Sequence, residues 1–340
     1  MCPTDFAPRG GMSQVVALLF NADRRRRFRL YLQAFALLCP LAAVTLAPSS
    51  AFALCTSNGV TVTCTLVTVN QGPGTNTGYG DGTQNGLTIN VVAGPPPASV
   101  IGTSVGIDVN NNNTINNFGT ITTNGVAIGN VYGISAEGNN LTVVNSGTIG
   151  RFDIPGFVFD LAAINAPGTG ISITNNAGAT IQGLTGITGV GTGTVVNSGL
   201  ITGLTTFGGG VGIDYSGSNT AMVTVTNNST GVINGDAFGI TANSAVVYNY
   251  GTISAPTAGG GGTGLNANTL VLTNYSSGLI TGDAFGVSGS QTPNLTITNF
   301  GTISSTGFAG VAIQGNTVDI TNSGAITSAL SSKLANSSPN

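Results

Sequence analysis

Aliphatic residues recur in this chain with a period of two, nested inside a longer period marked by nine asparagines. These are Asn117, Asn145, Asn175, Asn197, Asn227, Asn249, Asn274, Asn299 and Asn322, each followed closely by Gly and then Ile. The shortest form is N-x-G-x-I, as in NFGTI at Asn117 and Asn299, while NNAGATI, NNSTGVI and NYSSGLI carry small insertions. Successive asparagines lie 28, 30, 22, 30, 22, 25, 25 and 23 residues apart. Two positions before each stands an aliphatic residue: Ile115, Val143, Ile173, Val195, Val225, Val247, Leu272, Ile297 and Ile320, with mostly Thr, Ser or other polar residues on either side. Alternation of this kind belongs to a strand with one face inward. It also turns the Asn inward, at the corner where one strand passes into the next.

A second strand follows the Gly, with Ile121, Ile149, Ile181, Ile201, Ile233, Ile253, Ile280, Ile303 and Ile326 as its inward residues. A third precedes the motif, marked by Gly106-Ile107, Gly133-Ile134, Gly186-Ile187, Gly212-Ile213, Gly239-Ile240, Gly264-Leu265, Gly286-Val287 and Gly310-Val311. Three short strands per repeat describe one rung of a parallel β-helix, whose hydrogen bonds run to the next rung. The prediction is an all-β fold: a single-stranded right-handed parallel β-helix, or β-solenoid, of about nine or ten rungs over residues 101–328. Nine rungs at about 4.8 Å make a prism roughly 43 Å long. Stacked amides would satisfy one another along an Asn ladder, and the Gly after each Asn is expected to adopt a conformation that a Cβ disfavours. A β-propeller needs four strands per repeat of about 40 residues, and a membrane barrel needs longer alternating segments, so neither fits. Residues 54–100 are expected to form an N-terminal cap with flexible Gly/Pro loops at Gln71 to Gly86 and Gly94 to Ser99, and residues 329–340 a disordered tail.

Composition sharpens this picture. Of 340 residues, 53 are Gly, none is His or Trp, and only 19 are charged, eight of them within the first 29. The basic cluster Arg24 to Arg29, the apolar run Leu30 to Ala47 and the triplet Ala51-Phe52-Ala53 read as an export signal over residues 1–53, cleaved before Leu54. Gln33 and Pro40 weaken the alternative of a membrane-spanning helix. Arg25-Arg26-Arg27-Phe28-Arg29-Leu30 loosely resembles a twin-arginine signal, though general secretion is the expectation, and the long segment before it leaves Met12 open as a start. Beyond Ala53 stand two basic residues, Arg151 and Lys333, against nine acids, a net of −7. Phosphate binding needs clustered Lys and Arg, so no nucleic-acid partner is expected. Lack of His removes Ser-His and Cys-His nucleophile pairs and His-based metal sites. Cys55 and Cys64 flank Asn58-Gly59 and predict a disulfide-closed hairpin in an oxidising compartment. A loop of that length restricts the unfolded chain by about 2 to 3 kcal/mol in the loop-entropy model. The pair lacks the CxxC spacing of a redox or metal site.

An export signal, a short segment C-T-S-N-G-V-T-V-T-C and serial N-x-G-x-I rungs resemble the autotransporter passenger domains of Gram-negative bacteria, over roughly Leu54 to Ser328. The resemblance implies export to the periplasm, passage through the outer membrane by a C-terminal barrel, and display at the cell surface as an adhesin or other interaction protein. Its partners would be a host or neighbouring-cell surface protein or glycan. No barrel strands follow the last rung in this sequence. Either the chain is a fragment of a longer protein, or it stays in the periplasm or leaves by another route, and the bare rung at Ile326 to Lys333 is expected to self-associate or be covered by a partner.

Candidate chemistry is sparse. The segments Asn234-Gly-Asp-Ala-Phe-Gly-Ile and Thr281-Gly-Asp-Ala-Phe-Gly-Val place Asp236 and Asp283 two rungs apart, about 9.6 Å, which borders on the separation used by inverting glycosidases. A polysaccharide-active hydrolase or lyase is therefore the alternative function. A turn in which Asp accepts backbone hydrogen bonds is the simpler reading, and no enzyme activity is expected. Asp108 and Asp214 read as solvent-facing, and Asp319 replaces a Thr. A single Asp in Gly78-Tyr-Gly-Asp-Gly supplies too few oxygens for calcium, so no metal or cofactor is expected. The interruption Arg151-Phe-Asp-Ile-Pro-Gly-Phe-Val-Phe-Asp160 holds the candidate binding residues Arg151, Phe152, Phe157 and Phe159, weighed against a local hydrophobic lid. Outward columns at Thr114, Thr142, Ser172, Thr194, Thr224 and Thr296, and at Thr174, Thr226, Thr273, Thr298 and Thr321, resemble ice- or carbohydrate-binding arrays. Val144, Tyr248 and Asp319 interrupt them, and ordinary β-propensity accounts for the rest.

Overall fold

The structure, a computed structural model, describes residues 54–72, 76–124, 131–150, 162–203, 209–256, 261–289 and 294–329. Among these residues the regular structure is all strand, and its pairing is parallel except for one hairpin at the N-terminal end. Each turn contributes three strands, as the period-two pattern requires. In the turn at Asn145 they are Tyr132–Ala136, Thr142–Asn145 and Thr148–Gly150, and each pairs with the equivalent strand of the turn before and after. The protein is a parallel β-solenoid.

The registers place like on like. Val143 pairs with Ile115 and Ile173, Ile149 with Ile121 and Ile181, and Ile134 with Ile107 and Ile164. These three aliphatic columns are fully buried along most of the shaft. Ile320 departs from its column at 42% exposed, because no described turn stacks over it. Two positions of the third column differ from the Gly-Ile pattern. Ile164 fills the turn where no Gly-Ile pair exists, preceded by Ala163, and Ile313 pairs with Val287, so Val311 faces outward. The column follows the strand register, and an Ala occupies the place of the marker Gly in both turns. In two turns the third and first strands run together as single strands, Phe238–Asn249 and Thr263–Asn274, which join two of the three faces into one sheet.

Stacking begins further towards the N-terminus than residue 101. Thr61–Cys64 pairs in parallel with Thr88–Val91, and that strand with Thr114–Asn117, while Val67–Val69 pairs with Ser99–Gly102 and Thr77–Gly80 with Val105–Val109. The segment from Gln71 to Gly86, expected as a flexible loop, thus holds a paired strand at Thr77–Gly80. In these first turns Cys64 and Val91 occupy the column that Asn117 continues, and both are buried. The shaft therefore ends in hydrocarbon and sulfur. Cys55–Asn58 closes it as the antiparallel partner of Thr61–Cys64 across the turn Gly59-Val60, locked by the Cys55–Cys64 disulfide. Gly59 has φ of 63°, which the first position of this two-residue turn requires. Gln71 completes the seal: its side-chain amide accepts from Cys55 N at 2.6 Å and donates to Cys55 O at 2.8 Å.

The nine asparagines form one continuous ladder. Each Nδ2 donates to Oδ1 of the Asn in the following turn at 2.8–2.9 Å, from Asn117 through to Asn322. The same Nδ2 also donates across the corner to a backbone carbonyl of that turn at 3.1–3.4 Å, at Thr148, Thr180, Leu200, Val232, Thr252, Leu279, Thr302 and Ala325. One amide thus fastens both strands flanking a corner to the next turn. The first eight are fully buried, and Asn322 is exposed. The Gly that follows serves as expected after Asn175, where Gly178 has φ of 79° and open space around it, but other turns need their Gly for a different reason. Gly147 and Gly301 are absent from the left-handed region, but a Cβ on either would run into the carbonyl oxygen of the turn before, Gly119 O and Gly278 O respectively.

Among the described residues three buried hydroxyls lack a partner, those of Thr202, Tyr215 and Ser305, and the bulkiest of these side chains is Tyr215. Tyr215 is fully buried in a column continued by Ala242 and Ala267, and its hydroxyl has no partner. Its ring lies over Gly189 and Gly193, where a Cβ would meet it. An unpaired buried hydroxyl costs about 1 to 3 kcal/mol. Tyr215→Phe is expected to stabilise the protein by about 1 kcal/mol and Gly189→Ala to destabilise it by more than that. Urea unfolding of the two variants checks both signs.

Candidate interaction surface

The predicted site residues fall into three groups. Arg151, Phe152, Phe157 and Phe159 lie outside the described residues. Asp236 and Asp283 occupy equivalent corners two turns apart, since Phe238 pairs with Thr263 and Thr263 with Phe285. Each follows a strand end, Val232–Gly235 and Leu279–Gly282, and donates its backbone N–H to the preceding turn, at Gly203 O and Ala255 O. The asparagines form the ladder described above, their amides engaged with one another and with the backbone.

A further acidic group was not apparent as such. Gly80 pairs with Asp108 and Asp108 with Ser135, which brings Asp81, Asp108 and Glu137 to one corner. Asp81 caps its own loop, accepting from Thr83 N, Thr83 Oγ1 and Gln84 Nε2 at 2.6–3.1 Å, and these bonds hold its carboxyl below the usual range. Asp108, expected to face solvent, is half-buried because the Gly80-Asp81-Gly82 loop folds over it, with Gly82 N donating to its carbonyl. That burial, aided by the negative charge of Glu137, raises its pKa to about 6. Among the described residues no group of His, Cys, Asp or Glu is arranged to hold a metal ion.

The outward faces carry the Thr and Ser columns in register: Thr142 pairs with Thr114 and Ser172, and Thr298 with Thr273 and Thr321. Apolar residues interrupt them on one face, where Met222, Tyr248 and Val271 are exposed. The most distinctive outward feature is at the corner. The residue after each ladder Asn stacks on its counterpart, and in three successive turns it is aromatic: Tyr250, Tyr275 and Phe300. The Tyr250 and Tyr275 rings are stacked, with centroids 3.9 Å apart and planes at 6°, and their hydroxyls are hydrogen-bonded, which raises the pKa of Tyr250. Phe300 is 47% exposed. Phe118 holds this position in the first ladder turn, and in the four turns between, the column is polar, with Asn176 donating to Ser146 Oγ and Asn228 to Ser198 Oγ, both at 2.8 Å. The signal was present in the motif itself, in NYGTI, NYSSGLI and NFGTI, at the one position that strand alternation leaves unread.

Comparison with known proteins finds no matching family model, no matching curated protein and no matching solved structure. The fold and surface rest on the chain's own geometry.

The raised pKa of Asp108 has a definite sign. Its carboxyl holds a proton more tightly folded than unfolded, so its contribution to stability is greatest below the unfolded value near 4. That contribution is lost as pH rises to about 6. Asp108→Asn is expected to remove this slope and, after discounting for partial exposure, to raise stability near neutral pH by about 1 kcal/mol. Melting curves of both proteins across that pH window measure it.

Proposed function

We infer that this chain is a non-enzymatic, exported interaction scaffold, similar in kind to an autotransporter passenger and displayed at the cell surface or outer membrane. The observation that carries the reading is the solenoid's long outer surface, on which rows of uncharged Thr, Ser and Asn alternate with exposed aromatic and aliphatic side chains. Repeated turns supply length and rigidity; departures from the repeat supply selectivity. The leader pattern before Leu54 supports export, and the Cys55–Cys64 bond suits an oxidising compartment. Asp236 and Asp283 read as turn residues in equivalent corners.

The test is expression of the full chain in a Gram-negative host, followed by fractionation and binding of the purified product to cells. A mature N-terminus at Leu54, export, and saturable binding to cells or glycans are expected. A leader left intact in the cytoplasm would contradict export. Release of new reducing ends from a polysaccharide, abolished by Asp236→Asn or Asp283→Asn, would contradict the non-enzymatic reading.

A further inference from the structure

The corner between the ladder and the second-strand sheet is corrugated. The turns at Asn175, Asn227 and Asn274 carry two more residues between Asn and Ile than the turns at Asn197 and Asn249 that lie between them. Longer and shorter turns alternate, so ridges recur every second turn, about 9.6 Å apart. Between the first two ridges lies a groove of about 370 Å³, whose lining includes Leu200, Val232, Ala179, Ser198 and Thr230. Leu200 is 36% exposed there. Two turns further on, Tyr250 stands where Ser198 stands in the first groove: Ser198 N donates to Asn175 O and Tyr250 N to Asn227 O. One face of Tyr250 is covered by Tyr275 of the next ridge, which leaves the other towards the preceding turn. No charged side chain lines the groove or belongs to the aromatic pair.

We propose that this corner binds a neutral linear polysaccharide lying along the solenoid axis, with about two sugar residues spanning each ridge-to-ridge interval. The inference rests on the reading of the chain as an interaction scaffold and names the ligand of that scaffold. A surface that repeats every second turn complements a ligand that repeats at the same pitch, and a folded protein partner offers no such repeat. Sugars present apolar C–H faces edged by hydroxyls. Leu200 and Val232 receive the former; Ser198 Oγ, which accepts from Asn228 and keeps its proton to donate, and Thr230 Oγ1, which donates to Ser198 O and keeps its lone pairs, meet the latter; the Tyr250 ring anchors the second unit. The uncharged lining favours neutral polymers over uronates and phosphorylated chains.

A microarray of neutral and acidic linear oligosaccharides of increasing length, probed with the purified protein and followed by titration calorimetry, tests the proposal. Neutral oligomers are expected to bind better than acidic ones, with affinity rising about tenfold once the ligand reaches from the Leu200 groove to Tyr250. Leu200→Glu and Tyr250→Ser, both at outward positions, are each expected to weaken long oligomers about tenfold while the melting temperature holds. Glycan binding that both folded variants retain overturns the corner site and leaves the scaffold reading standing. Cell binding through a protein or peptide ligand, with no glycan bound, does the same. A protein that is neither exported nor bound to any surface overturns both.

Discussion

A carboxamide enclosed in hydrocarbon has to satisfy two N–H donors and a carbonyl without water, and leaving them unpaired costs several kcal/mol. In this fold the neighbouring turn supplies the amide-to-amide partners, supplemented by bonds to backbone of the same corner such as Gly119 N to Asn117 Oδ1 and Asn227 Nδ2 to Gly231 O. Each interior Asn therefore fixes the height, the register and the corner angle of the turn that follows it. The amides all point the same way, Nδ2 of one turn to Oδ1 of the next, so the bonds polarise one another along the shaft. The aliphatic columns provide the bulk of the burial and fix which face of each strand turns inward, but Val, Leu and Ile are similar enough that packing alone separates registers two residues apart only weakly. The ladder does not tolerate such a slip. It makes a stack of hydrophobic turns into a single defined coil.

The same constraint explains the N-terminal end. A ladder begun in mid-shaft needs its first carbonyl satisfied, and Asn117 Oδ1 accepts from Gly119 N in its own turn. Below it Val91 and Cys64 carry the column on without polar groups, and the disulfide hairpin with the Gln71 clamp closes the sheet edge. An unpaired strand edge invites association, and this one is paired and covalently tied.

How much was legible follows from what each feature depends on. The fold was legible because period-two burial and a spaced Asn-Gly-Ile motif are local in sequence and repeated nine times. Where the markers changed, reading became harder: Cys64 and Val91 hid two turns that lack the Asn, and Ala163 and Ala312 hid the inward Ile164 and Ile313. Other features arise only when turns are laid side by side. Asp108 is half-buried by a loop from the preceding turn, Tyr215 fits because Gly189 lies one turn below it, and the Tyr250–Tyr275 stack joins residues 25 positions apart. The grooved corner is of the same kind. Its insertions are visible in the string, but their alternation with shorter turns acquires meaning only at the stacking distance of about 4.8 Å. Surface chemistry in a solenoid is a property of columns, whereas sequence is read along rows.

The most direct measurement of the ladder is a double-mutant cycle on two linked members in mid-shaft, Asn197→Ala, Asn227→Ala and the pair together, by equilibrium unfolding. If the amides hold successive turns through one another, each single change costs about 2 to 4 kcal/mol, and the double change costs at least 1 kcal/mol less than the two added together. Single changes of a few tenths of a kcal/mol, or losses that simply add, would contradict the account.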